Sequence, residues 1–308
     1  MPPQVCTDIC WALRHIAPNE SNRGRVADEF GPEKVLVVLR SFYKELPFAL
    51  EASKALVSFV ESESDDLIIR IVSSNAIPLF VKAMKKFYQD SEGLSRWVLN
   101  LFYLMSCNDK LLLKLSSPDI LDLLSLTLEA HAGAEGVAEW GCRMVHNLLV
   151  GNAAVTSRMR SAGLCEMVVS CVQRQAISTS VCGYGCLAIG DLATDKGNHD
   201  KLTSAGACEA VVGSLRRHDD DPELVCQTCH AIHYLAQTDY NTGWVGANGG
   251  CEAVTVALTK HTPTSVAATR HCLRAIGSLA FNDEGTSCPC IADYDIVDTS
   301  CVNRCVYE

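Results

Sequence analysis

The chain has 308 residues, is 48% hydrophobic but only 6% aromatic, and carries 36 acidic against 26 basic side chains for a formal net charge of −10. That balance disfavours sequence-independent binding to nucleic acid or anionic lipid, both of which rest on concentrated Lys and Arg. No run approaches ~18 uninterrupted apolar residues, and MPPQVCTDIC lacks the features of a signal peptide, so the expectation is a soluble cytoplasmic protein without a transmembrane segment.

In chain order, residues 4–17 read as the last helix of a repeat whose first two helices are missing, carrying the apolar pair Leu13/Ile16. The same pair returns as Leu56/Phe59, Leu101/Leu104, Val145/Leu148, Ile189/Leu192, Ile232/Leu235 and Ile276/Leu279, each 43 to 45 residues after the last. A fixed period of this size means stacked copies of one supersecondary unit, because a single unit cannot bury its apolar face alone. Stacking also avoids the size limit that ~300 residues would impose on one closed core.

Between the pairs lies a second marker. FGPEKVLVVL and SNAIPLFVKAM place Gly31 and Asn75 there, and SAGLCEMVV, SAGACEAVV and ANGGCEAVT follow, 43 residues apart at Cys165, Cys208 and Cys251. Gly, and less readily Asn, tolerates the positive φ that ends one helix and redirects the chain into the next. Asn22, Asn198 and Asn241 lie eight or nine residues earlier, where an N-cap for a short first helix is expected. One repeat thus reads as an Asn cap, a short helix, a Gly break, a second helix such as 208–218, a polar loop, and a third helix bearing the pair.

The runs WGCRMVHNLL (140–149), YGCLAIGDLA (184–193) and HCLRAIGSLA (271–280), with the AG-x-CEAV breaks, resemble armadillo-repeat proteins over roughly residues 4–283. The resemblance implies an all-α, right-handed armadillo-type α-solenoid of stacked three-helix repeats over 1–283, its first repeat incomplete. Residues 284–308 break the pattern and read as a poorly ordered tail. The fold does not choose among the adaptor, scaffold and regulatory roles of the family.

Seventeen cysteines raise the question of metal. Cys142, Cys186 and Cys229 fall at one repeat-equivalent place and Cys165, Cys208 and Cys251 at another, so packing of a small soft side chain is the reading, and the odd count argues against a disulfide framework. The tail's Cys288, Cys290, Cys301 and Cys305 match no common zinc module. No P-loop, G-x-S-x-G, H-E-x-x-H or dinucleotide fingerprint occurs, and the histidines look scattered rather than paired. The expectation is a non-enzymatic protein with no cofactor and no metal.

The armadillo resemblance implies that third helices line a concave groove. Offsets of five before, two before and two after the first anchor share one helix face. From that stripe the candidate peptide-binding residues are Trp11, His15, Arg96, Tyr103, Trp140, Arg143, Asn147, Tyr184, Asp191, His230, Tyr234, His271 and Arg274. Aromatic and Arg side chains suit a peptide-binding surface, while packing beneath a neighbouring repeat is the competing reading. Nuclear-import adaptors of this family repeat a Trp and an Asn four residues apart; here the Trp place is kept only as Trp11 and the Asn place only as Asn147, so tight binding of basic import signals is not expected. Cations in the stripe, with three histidines that charge in mild acid, point to a partner with acidic or aromatic segments. The alternative is a regulatory or membrane-targeting subunit that self-associates through uncapped solenoid ends.

Overall fold

The computed structural model describes residues 2–61, 65–150 and 152–280. The 284–308 tail and its four cysteines lie outside the described residues. Every regular element among the described residues is helical, and the chain divides into two units, Met1–Leu148 and Leu149–Glu308.

The first unit holds α1 (Pro3–Ile16), α2 (Glu20–Asp28), α3 (Gly31–Phe42), α4 (Leu46–Val60), α5 (Asp65–Ser73), α6 (Ala76–Phe87), α7 (Glu92–Ser106), α8 (Asp109–Leu115), α9 (Pro118–His131) and α10 (Glu135–Leu149). The second holds α11 (Ala153–Ser161), α12 (Leu164–Arg174), α13 (Thr179–Ala193), a 3-10 turn at Lys196–Asn198, α14 (His199–Ser204), α15 (Ala207–Arg217), α16 (Pro222–Leu235), α17 (Asp239–Ala247), α18 (Gly250–His261) and α19 (Val266–Ala280). In each unit the third helices stack on one another, α1 on α4 on α7 and α13 on α16 on α19.

The apolar pairs build this stacking. Leu56, Phe59, Leu101, Val145, Leu148, Ile189, Leu192, Ile232, Leu235 and Leu279 are all 0% exposed. Each such burial contributes about 1.5–3 kcal/mol relative to an exposed side chain. The first pair departs from the pattern, because Ile16 is 39% exposed and no repeat covers its far side in the described chain. Leu104 is only half-buried, and Met105 fills the core place beside it.

The helix breaks fall where the period puts them, with one shift. Asn75, Gly163, Gly206 and Gly249 take positive φ, but in the first repeat that conformation belongs to Phe30 (φ 58°), not to Gly31. Gly31 is instead the first residue of α3, and a Cβ there would lie 2.9 Å from the Val26 carbonyl oxygen. Glycine is therefore required by close approach to α2. Before α9 no residue turns left-handed; Ser117 is extended (φ −66°, ψ 147°) and Pro118 opens the helix, as its fixed φ favours.

The expected caps are also displaced. Asn19, Asp195 and Thr238 accept the capping hydrogen bonds, each three residues before the Asn read as a cap. Asn198 and Asn241 are buried, and their amides do other work: Asn198 Nδ2 donates to the Leu192 carbonyl (2.8 Å), and Asn241 Nδ2 donates to His199 Nδ1 (3.0 Å). His199 Nε2 in turn donates to the Ala193 carbonyl at 2.8 Å, and Thr242, 43 residues on, donates to the Ala236 carbonyl at 2.9 Å.

The histidines are not scattered in the fold. His131, His218 and His261 close their second helices by donating Nε2–H to a carbonyl of the preceding repeat: Tyr88 (2.5 Å), Ala176 (3.0 Å) and Asp219 (2.7 Å). Each bond spans 42 or 43 residues, so one repeat's second helix is clamped to the loop before the previous third helix.

Cys10, Cys165, Cys186, Cys208, Cys229 and Cys272 are buried free thiols, and Cys142 is buried at the place equivalent to Cys186 and Cys229. Burial pushes the thiols of Cys10, Cys165 and Cys208 up to about 12, which keeps them protonated and unreactive. Cys251 departs from its equivalents Cys165 and Cys208: it is disulfide-bonded, so packing is not its whole role.

Candidate functional site

The stripe residues occupy the third helices of both units. In the first unit Trp11 (55% exposed), His15 and Arg96 are exposed, and Tyr103, Trp140, Arg143 and Asn147 are half-buried. In the second, Tyr184, Asp191, His230, Tyr234, His271 and Arg274 are all half-buried. Leu99 and Gln227, at equivalent offsets, turn inward and are buried.

On the first unit's face, Trp11 stacks on His15 with ring centroids 4.1 Å apart, and His15 Nδ1 donates to the Trp11 carbonyl at 2.7 Å. The Tyr103 and Trp140 rings meet at 5.3 Å, and the Arg143 guanidinium lies 4.9 Å from the Trp140 ring centre and 5.7 Å from that of Tyr103. Glu139 fixes that guanidinium through a 2.9 Å ion pair. Asn147 Nδ2 donates to Ser106 Oγ at 3.1 Å, so α10 is tied to α7 by side chains as well as rings.

Two participants lie outside the sequence-derived set. Trp97 receives the Arg96 guanidinium at 5.5 Å from one side and that of Arg14 at 5.8 Å from α1. The two long side chains thus bridge α1 and α7 across the intervening α4. The signal for Trp97 was present: four residues before the anchor the later repeats carry small side chains, Gly141, Gly185, Thr228 and Cys272, and a Trp among them is an anomaly. Arg14 is also 3.9 Å from Glu51, whose other oxygen holds Lys54 at 2.6 Å. Several cations of this face are therefore already paired.

The second unit's face is a polar chain. His230 Nε2 lies 3.2 Å from Asp191 Oδ1, and its ring packs on Tyr234 at 4.9 Å and His271 at 6.5 Å. His233, one residue after the anchor and so at none of the three offsets, joins them. Its Nδ1 donates to Ser278 Oγ (2.6 Å), and Arg274 Nη2 donates to its Nε2 (3.4 Å). Burial first, then the charges of Arg274, His230 and His271, pushes His233 down to about 4. Burial and the neighbours His230 and Arg274 likewise lower His271. The expectation that the stripe histidines charge in mild acid is corrected for His271: a half-buried imidazole beside cations resists a proton.

Among the described residues no group of three His, Cys, Asp or Glu converges as a metal site, and no single helix is long and apolar enough to cross a membrane.

Solved structures share the all-helical repeat fold. An engineered protein superposes with a TM-score of 0.74 at 18% identity, covering 92% of this chain and 66% of its own. A designed armadillo repeat protein bound to the peptide (KR)4 gives 0.62 at 18% identity over 80% of this chain and 98% of its own. The fold is that of armadillo repeat proteins. A third armadillo-type match comes from a structure of the cadherin and beta-catenin interaction, at a TM-score of 0.77 and 12% identity, where this chain spans 92% of its own length and 56% of the other's. No protein-family model matches the sequence, and no curated protein does.

Proposed function

We propose that the chain is a non-enzymatic armadillo scaffold that holds an extended peptide segment on its third-helix faces. The observation that carries this is the Tyr103, Trp140 and Arg143 cluster, three large side chains packed on one another yet only half-buried. Rigid, preorganised aromatic and Arg surfaces are where binding energy concentrates in protein interfaces. The designed relative bound to (KR)4 supports peptide binding as a use of this fold.

The partner in this reading carries acidic or aromatic side chains. Arg96, Arg270 and Arg274 have no carboxylate within ion-pair reach among the described residues, and Arg274 donates only to a neutral imidazole. Charge complementarity then sets orientation and association rate more than affinity. Capture of acidic and basic peptide pools at two salt concentrations tests the reading, with Trp140→Ala and Arg274→Gln as variants. Preference for the acidic pool, lost in both variants with melting temperature nearly unchanged, is the expected result; preference for the basic pool, or variants that bind like the parent, refutes it.

The alternative of self-association draws support from an apolar cavity of about 350 Å³ between α1 and α3, lined by Ile9, Leu13, Val35, Val38 and Phe48. Ile9 in its wall and Val5, four residues earlier on α1, are 44% and 42% exposed. A second copy burying this surface would show as a concentration-dependent mass in sedimentation, abolished by Ile9→Glu; a monomer at every concentration removes this reading.

A further inference from the structure

The chain is acidic, yet lysines gather on two neighbouring helices of the first unit: Lys82, Lys85 and Lys86 on α6, and Lys110 and Lys114 on α8. Lys82, Lys85 and Lys114 line one cavity of about 560 Å³, bounded by α5, α6, α8 and α9. Its floor is apolar, with Val81 and Ile120 among its walls. One carboxylate shares the space, Asp119, and it is taken by Lys85 at 3.3 Å. Lys82 and Lys114 have no carboxylate partner among the described residues, and the Ser117 hydroxyl at the cavity's edge makes no capping bond. No clamp between repeats uses these two lysines, although Lys86 next to them donates to the Lys44 carbonyl at 2.9 Å.

Three lysines with one carboxylate between them still repel one another, and an anion relieves that repulsion. Lysine ammonium groups act on phosphate as compact point charges with rotatable donors. Asn75 and Ser117, which also line the cavity, offer hydrogen-bonding groups to the hydroxyls of the skeleton that carries the phosphate. We infer that this cavity binds a phosphate monoester on a small polyol, supplied either as a soluble phosphorylated polyol or as the headgroup of a phosphorylated inositol lipid. The site lies on α6, α8 and α9, away from the third-helix faces, and does not depend on peptide binding there.

The test uses the full chain, titrated calorimetrically with inositol trisphosphate and, separately, sedimented with phosphatidylcholine vesicles with and without phosphatidylinositol bisphosphate. Saturable binding that weakens with salt is expected, reduced about tenfold or more in Lys82→Gln/Lys114→Gln, with phosphate-free inositol giving none. Lys260→Gln, which removes a lysine already paired with Asp219, leaves binding unchanged. Binding of the trisphosphate in solution without added affinity for the doped vesicles assigns the soluble source; enrichment on doped vesicles assigns the headgroup. No saturable binding to either probe, parent-like binding by the double lysine variant, or equal loss in Lys260→Gln overturns the inference.

Discussion

Single residues decide how sharply each repeat turns. Gly206 sits at φ 86°, a conformation an L side chain enters at a cost of roughly 1–2 kcal/mol. Gly206→Ala is therefore expected to lower the unfolding free energy, measured by urea titration, by that amount. Asn75→Gly, at φ 75° with no side-chain capping bond, raises it by about 0.5–1 kcal/mol. Opposite signs at equivalent positions separate backbone strain from loss of contacts, and equal signs would refute the assignment. His233 supplies a pH-dependent counterpart. Its pKa falls from 6.5 to about 4 on folding, chiefly by burial and then through Arg274, His230 and His271. The unfolded chain thus binds the proton first, and stability is full above the unfolded value and is lost as pH drops through the window between 6.5 and about 4. Because the ring is only half-buried, screening reduces the loss between pH 7.5 and 5 to about 1 kcal/mol. Denaturation midpoints at the two pH values measure it, and His233→Leu should flatten the slope.

At the scale of helices, the array is held by apolar stacking and by polar clamps that the sequence shows unequally. The helix order, the third-helix stacking and the breaks at Asn75, Gly163, Gly206 and Gly249 were legible, because burial every 43 to 45 residues leaves a periodic apolar trace. Phe30 was not, since nothing local marks a Phe as left-handed, and the glycine beside it is held by close approach to Val26 rather than by its own φ. The clamps were equally hidden, because a donor to a backbone carbonyl leaves no mark in the sequence of its acceptor. Of the third-helix faces, the offsets captured Trp140 and Tyr103, yet missed Trp97 and His233, which flank the chosen line on the helix surface. The His131, His218 and His261 clamps carry a definite energetic expectation. His261→Ala orphans the Asp219 carbonyl partner and should cost about 1–3 kcal/mol. His218→Ala should cost a similar amount at its own repeat. His15→Ala, whose ring bonds only within its own exposed helix, should change stability by a few tenths of a kcal/mol. Thermal melts of the three variants check the ordering, and a His15→Ala loss as large as the others would refute the clamp.

For the molecule as a whole, nearest-neighbour construction sets how it unfolds. In a stack whose repeats touch mainly their adjacent repeats, stability is close to a sum of repeat and interface terms, and cooperativity breaks down as the array lengthens. The four tryptophans make this measurable, because Trp11, Trp97 and Trp140 lie in the first unit and Trp244 alone in the second. Trp244 is 42% exposed on α17, with Tyr240 at 6.3 Å, so replacing the other three by Phe leaves a reporter of the second unit. Trp244→Phe leaves reporters of the first. The first unit contains α2, which has no buried residue, a half-exposed opening pair, and the unpaired lysines around the α6 cavity. In the second unit α13 and α16 bury their anchors completely and two histidine clamps join its repeats. The expected result is a lower urea midpoint for the first-unit reporters than for Trp244, with circular dichroism spanning both transitions. Coincident midpoints for all three probes would show a single cooperative unit, and the local differences in packing would then not govern how the array comes apart.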